Sequence, residues 1–192
     1  MLKANKAYFR KLLSDSIAQS TEMEEVLDIA CATAKFAHLF SAHRYTGVDS
    51  SSSKIRQAAV EHPQARFVCA DLTDATLDVG TFDMVVCTHT LHHLPDELKT
   101  RAVDNLFRAL RPNGRLLLQL SDGDFKLLMS KLQDKFSTVS HHAYGGLLMR
   151  GLWRLPIPGK VLDLVARIDI YPKDHMLILA PNADLENRDA SD

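Results

Sequence analysis

The strongest constraint on the fold is an alternation: short apolar runs separated by stretches of helical period. "EVLDIA" (25–30), "YTGVDS" (45–50), "RFVCADL" (66–72), "FDMVVCTH" (82–89) and "RLLLQLS" (115–121) are almost continuously apolar, the pattern of strands covered on both faces. Between them, 34–41 and 51–61 read as helices. The stretch from Pro95 to Arg111 carries Leu98, Ala102, Leu106 and Leu110 as an i, i+4 stripe. Pro95 suits a first helical turn, and Pro112-Asn113-Gly114 stops the helix. An earlier helix spans Ala7 to Ile17, with apolar residues at 9, 12, 13 and 17. Strand–helix alternation with short connections predicts an α/β fold: one doubly wound, mostly parallel sheet with helices on both faces.

Beyond Asp122 the pattern changes. Phe125, Leu128, Met129, Leu132 and Phe136 share one helical face, and "KVLDLVARI" (160–168) has helical spacing. Between them, 143–160 is rich in large apolar residues but broken by glycine and proline. "HMLILA" (175–180) reads as a final strand, and 183–192 as a disordered tail. The expected organisation is one domain over 1–182, with a core at 20–122 and a substrate-side or lid region at 123–174.

Composition removes several classes of function. The 23 basic residues against 24 acidic ones leave a formal charge of −1, without the basic excess of a nucleic-acid binder. Cys31, Cys69 and Cys87 are odd in number and widely spaced, each in an apolar run, which reads as buried free thiols in a reducing, cytoplasmic compartment. The first residues lack a signal-peptide core, and no apolar run reaches the roughly 20 residues of a membrane span.

In open α/β sheets, ligands bind beyond the carboxyl ends of the strands, where the strand order reverses. The residues after each strand therefore matter most: Asp28 and the turn "ACATA" (30–34), Asp49-Ser50, Asp71-Leu72, and "CTHTLHHLPD" (87–96). Asp49 follows Asp28 by 21 positions, near the spacing of an acid that binds a ribose. Each acid also has a structural reading as a helix cap or turn residue. His89, His92 and His93 invite a metal, but no cysteine or carboxylate completes a tetrahedral set, so none is expected.

In order and spacing, "VLDIACATA", "GVDSS", "ADLTD", "FDMVVCTHTLHHLPD" and "LFRALRPNGRLLL" resemble the class I S-adenosylmethionine-dependent methyltransferases of the small-molecule type, over about residues 20–122. The resemblance implies the Rossmann-like methyltransferase fold and S-adenosyl-L-methionine as cofactor, with a small, lipophilic methyl acceptor. It implies Asp49 and Ser50 at the ribose, Asp71 and Leu72 at the adenine, and Asp28, Ala30 and Cys31 at the methionine end. Cys87 and Thr88 would line the cofactor through their backbone. His92 and His93 would stand on the substrate side as candidate bases, although a packed histidine is an equal reading and methyl transfer can proceed by positioning alone. Arg10 resembles a helix arginine that holds the methionine carboxylate; a solvated charge is its plainer reading.

One departure stands out. Alanine occupies 30, 32 and 34, where glycines are expected. Alanine is the best helix former, so the helix is expected to start early and absorb 32 and 34, or the turn to tighten, putting methyl groups where the cofactor's methionine end would lie. Two alternatives follow: the same fold without methyl transfer, as a cyclase-type enzyme or binding partner, and a peripheral membrane contact through Trp153 flanked by Arg150, Arg154 and Lys160. The 141–160 segment is expected to act as a mobile cover.

Overall fold

The computed structural model describes residues 3–18, 25–40, 44–144 and 174–182. The elements run α1 (Lys3–Ala18), β1 (Val26–Ile29), β2 (Tyr45–Asp49), α2 (Ser52–Glu61), β3 (Arg66–Cys69), β4 (Phe82–Cys87), α3 (Asp96–Arg108), β5 (Leu110–Ser121), α4 (Asp122–Lys135), β6 (Phe136–Tyr144) and β7 (Asp174–Pro181). The strands form one seven-stranded sheet in the order β3-β2-β1-β4-β5-β7-β6. Pairing is parallel from β3 to β5, and β7 alone runs against its two neighbours. The mostly parallel, doubly wound sheet read from the sequence is the one formed.

Alternate residues of the central strands bury opposite faces. Leu27, Ile29, Val85, Leu116, Leu118 and Leu120 pack with Val103 and Leu106 of α3 and Leu128 and Leu132 of α4. Val26, Met84, Val86 and Leu117 pack against Phe9, Leu12 and Leu13 of α1. Each helix end fits its sequence. Ser51 and Ser121 cap α2 and α4 by accepting backbone N–H bonds, and α3 and α4 open with two acids and close with one base each, as the helix dipole favours.

Several boundaries differ from the sequence reading. No helix covers the described part of 34–41: a left-handed turn leads into a single 3₁₀ turn at Ala37–Leu39. The helix from Pro95 ends at Arg108, not at the Pro112-Asn113-Gly114 signal, and β5 begins at Leu110. Gly114 lets that entry run close to its neighbour, because a Cβ there would lie 3.1 Å from the Asp83 carbonyl oxygen. Phe136 starts β6 instead of closing α4. β3 stops at Cys69, short of Leu72. The Cys69 thiol is exposed because β3 is an edge strand, whereas Cys31 and Cys87 are buried as expected. The 160–168 helix, the Trp153 cluster, most of the proposed cover and the tail lie outside the described residues. No described helix is long and apolar enough to cross a membrane.

Candidate active site

The strand order reverses between β1 and β4, and the turn after β1 opens onto that crevice. Ala30, Ala32 and Ala34 all have left-handed backbones, with φ of 60°, 52° and 53°. The helix expected to absorb them does not form. The conformation that glycine would favour is kept, at about 1–2 kcal/mol of strain per alanine.

Neighbours hold the turn in place. The Cys31 N–H donates to the Val48 carbonyl (2.9 Å), and the Ala34 N–H to the Cys31 carbonyl (2.8 Å). Asp49 accepts the Ala32 N–H on Oδ2 and the Ser51 N–H on Oδ1, each at 2.9 Å. One carboxylate thus ties the turn after β1 to the start of α2. Gly47 gives the turn room: a Cβ there would sit 2.9 Å from the Cys31 sulfur and 2.7 Å from the Phe67 ring.

Beneath the turn, Asp28 is buried at 4% exposure and accepts a 2.6 Å hydrogen bond from the Tyr45 hydroxyl. Burial pushes the Asp28 carboxyl up to about 7; the Tyr45 bond lowers it and the Asp49 charge raises it further. Burial and the Asp28 charge likewise push the thiols of Cys31 and Cys87 well above the range in which they ionise at neutral pH. Neither thiol is a nucleophile in this setting.

The other cofactor candidates gather at the same end of the sheet. Ser50 follows Asp49 and is exposed. Asp71 is exposed too and holds Thr73 through two bonds, both on Oδ1. Leu72 is buried beside Val79 in the core. After β4, Thr88 accepts on its carbonyl from the Thr90 hydroxyl. Arg10 lies on the exposed side of α1.

The three histidines after β4 part ways. His89 takes a left-handed backbone (φ 55°), donates its N–H to Gln119 Oε1 at 2.7 Å and lies 4.8 Å from the Phe9 ring. His92 and His93 lie in a 3₁₀ turn, exposed, with ring centroids 3.9 Å apart. Burial of the ring and the neighbouring His93 push His92 below its ordinary value, leaving it neutral at pH 7.

Sequence reasoning passed over the polar residues that brace this end: Tyr45, Gln119, Lys99 and Asp124. Gln119 alone interrupts the leucines of 116–120, and that isolation was a usable signal. It bridges the His89 N–H and Asp174. Lys99 joins Asp96 and Asp124, each at 2.6 Å, and ties α3 to α4.

A family model described as a methyltransferase domain matches residues 26–114, the stretch that carries the turn, the three strand-end acids Asp28, Asp49 and Asp71, and His89, His92 and His93. Over that central stretch, just under half of its length, the chain resembles the class I S-adenosylmethionine-dependent methyltransferases. It is 28% identical over 109 residues to the ubiquinone biosynthesis O-methyltransferase of Coxiella burnetii, covering 54% of this chain and 46% of that protein. It is 32% identical over 104 residues to the trans-aconitate 2-methyltransferase of Escherichia coli, covering 52% and 40%. The chain thus matches less than half the length of either methyltransferase. The fold is that of the N-methyltransferase NodS from Bradyrhizobium japonicum WM9, solved with S-adenosyl-L-homocysteine: TM-score 0.65, 17% identity, 91% of this chain and 88% of that one.

The residues of this chain fit an S-adenosylmethionine-type cofactor by their donor chemistry. Each Asp49 oxygen accepts one backbone N–H, and a carboxylate has about four acceptor positions in all. The carboxylate can therefore hold the turn and still accept from two ribose hydroxyls.

Proposed function

We propose that the protein transfers a methyl group from S-adenosylmethionine to a small acceptor. The observation that carries this is the alanine turn, which keeps a left-handed backbone and stays pinned by Asp49. Bound there, the cofactor supplies an electrophilic methyl on sulfur. In this reading Asp49 and Ser50 receive the ribose, Asp71 and Leu72 border the adenine, and the backbone at Cys87 and Thr88 lines the crevice. Asp28, Ala30 and Cys31 support the methionine end, with the half-exposed methyl groups of Ala30 and Ala32 narrowing it. His92 and His93 face the acceptor. Buried free thiols at 31 and 87 suit a reducing cytoplasm.

The non-methylating alternative rested on loss of the turn, and the turn is kept; the named relatives are methyltransferases. Calorimetry with S-adenosylmethionine and S-adenosylhomocysteine tests the reading. Both are expected to bind, and Asp49→Ala to lower affinity roughly 10- to 100-fold, about the worth of one hydrogen bond to a charged group. Circular dichroism of the variant separates lost affinity from lost fold. No heat at millimolar cofactor with the folded wild-type protein would sink the proposal.

A further inference from the structure

We propose that Asp122, His175 and His141 form a directed hydrogen-bonded chain that makes His141 a proton acceptor, and that the methyl acceptor is therefore a hydroxyl compound of phenolic or enolic acidity. This rests on the methyl-transfer reading and assigns the base to a residue other than His92 or His93.

With both rings neutral, the chain has one consistent proton arrangement. The Asp122 carboxylate meets His175 Nε2 at 3.3 Å through Oδ1 and Lys126 at 2.8 Å through Oδ2. Those two bonds, Lys126 first, hold the Asp122 carboxyl below the usual carboxylate range, so it is ionised and only accepts. His175 Nε2 must donate to it. In the neutral ring His175 Nδ1 is then the acceptor, and it lies 2.9 Å from His141 Nε2. His141 Nε2 must donate in turn, which leaves the lone pair of the neutral His141 ring on Nδ1. His175 is buried at 6% exposure, whereas His141 is exposed. The buried ring thus sits between a part-exposed fixed charge and an exposed basic nitrogen, the order in which a carboxylate orients a catalytic imidazole.

The rings are held in place. Phe125 stacks on His175 at 4.1 Å and 8°, and on His141 at 5.0 Å and 21°. His175 lies opposite Leu120, at the carboxyl end of β5, the end at which Gln119 meets His89. Among the described residues, the titratable groups that act on His141 are His175 on β7 and His142 on β6, with Asp122 and its Lys126 beyond His175. Burial, then the neighbouring His175 and His142, push His141 below its ordinary value, so the ring is neutral and able to accept at pH 7.

In the reaction, the acceptor hydroxyl gives its proton to His141 Nδ1. The freed oxygen pair forms the new O–C bond to the methyl carbon, and the pair of the broken S–C bond stays on sulfur. The positive charge gained by His141 is spread through His175 toward Asp122.

Two measurements on the full chain, neither needing cofactor, test the inference. Imidazole ¹⁵N spectra at pH 7 should show His175 and His141 both protonated on Nε2 and bare on Nδ1, with Asp122→Asn abolishing that preference. A His141 protonated on Nδ1 overturns the chain. Second, 4-nitrocatechol added below its own titration midpoint should turn the yellow of its phenolate on binding. His141→Gln should weaken that colour response at least tenfold. No colour with the wild-type protein, or the same colour with His141→Gln, overturns the assignment. A positive colour response in a protein that yields no methylated catechol with S-adenosylmethionine would instead remove the methyl-transfer reading and leave the base in place.

Discussion

The two halves of the sheet solve the same problem by opposite means. On the β3-β2-β1-β4 side, geometry is made by the backbone: a left-handed turn whose amides are claimed by Asp49 and by strand β2. On the β5-β7-β6 side, side chains meet side chains. Lys99 bridges Asp96 and Asp124, Gln119 reaches Asp174, and Asp122 leads through His175 to His141. A backbone-built site tolerates a change of residue as long as φ is kept, which is how three alanines can stand in for glycines. A side-chain network has no such latitude, because each member is a specific donor or acceptor. The backbone-built half can therefore drift in sequence, while the side-chain half is sensitive to single substitutions.

The largest expected effect falls on the side-chain half. Lys99→Met leaves Asp124, 3% exposed, without its cation. Breaking a buried pair in this way costs about 3 kcal/mol, read as a lowered urea midpoint. Burial would raise the Asp124 carboxyl, but the bonds from Lys99 and Ser121 outweigh it and hold it low. The stability contributed by this pairing is present above the ordinary carboxylate range and lost as pH falls through the lowered value. A variant as stable as the parent would erase the contrast between the halves.

Next comes a pH dependence on the backbone half. Asp28 titrates near 7 when folded, against 3.8 as its ordinary value. The folded state therefore holds a proton that the unfolded chain has lost, and stability falls as pH rises from about 4 to about 7, then levels off. Asp28→Asn should remove that slope, visible as a flatter plot of urea midpoint against pH. An unchanged plot would mean that another group titrates there.

The smallest effects belong to the alanines themselves. Ala30→Gly and Ala32→Gly should each raise stability by about 1 kcal/mol by relieving the left-handed strain, a rise of a few degrees in melting temperature. Ala34→Gly should come out near neutral, because Ala34 is fully buried beside Tyr45 and Ala58 and would lose a packed methyl. Equal gains at all three positions would show that strain alone decides.

The backbone half was also the easier to read. β1, β2 and β4 are buried along their whole length or nearly so, and their mostly apolar sequences reveal them. What misled was the helix propensity of "ACATAKFAHLF": local preference lost to the hydrogen bonds of Val48 and Asp49, which lie a strand away. β6, "FSTVSHHAY", went unnoticed because only its two end residues are buried, so an edge strand left no apolar alternation. The Asp122–His175–His141 chain was out of reach for another reason. Its members come from three elements, and only the register that sets His175 opposite Leu120 and Ala143 brings them together.

The placement of β7 also orders the protein's manufacture. β5 and β6 flank it without pairing to each other, so a ribosome that has released residues through Tyr144 has delivered two strands with an empty lane between them. The five strands from β3 to β5 can already be zipped together, and the alanine turn with them. The imidazole chain closes only when Asp174–Pro181 slides into the lane, so a nascent chain completes its backbone-built half well before the strand that wires its imidazoles together has left the ribosome.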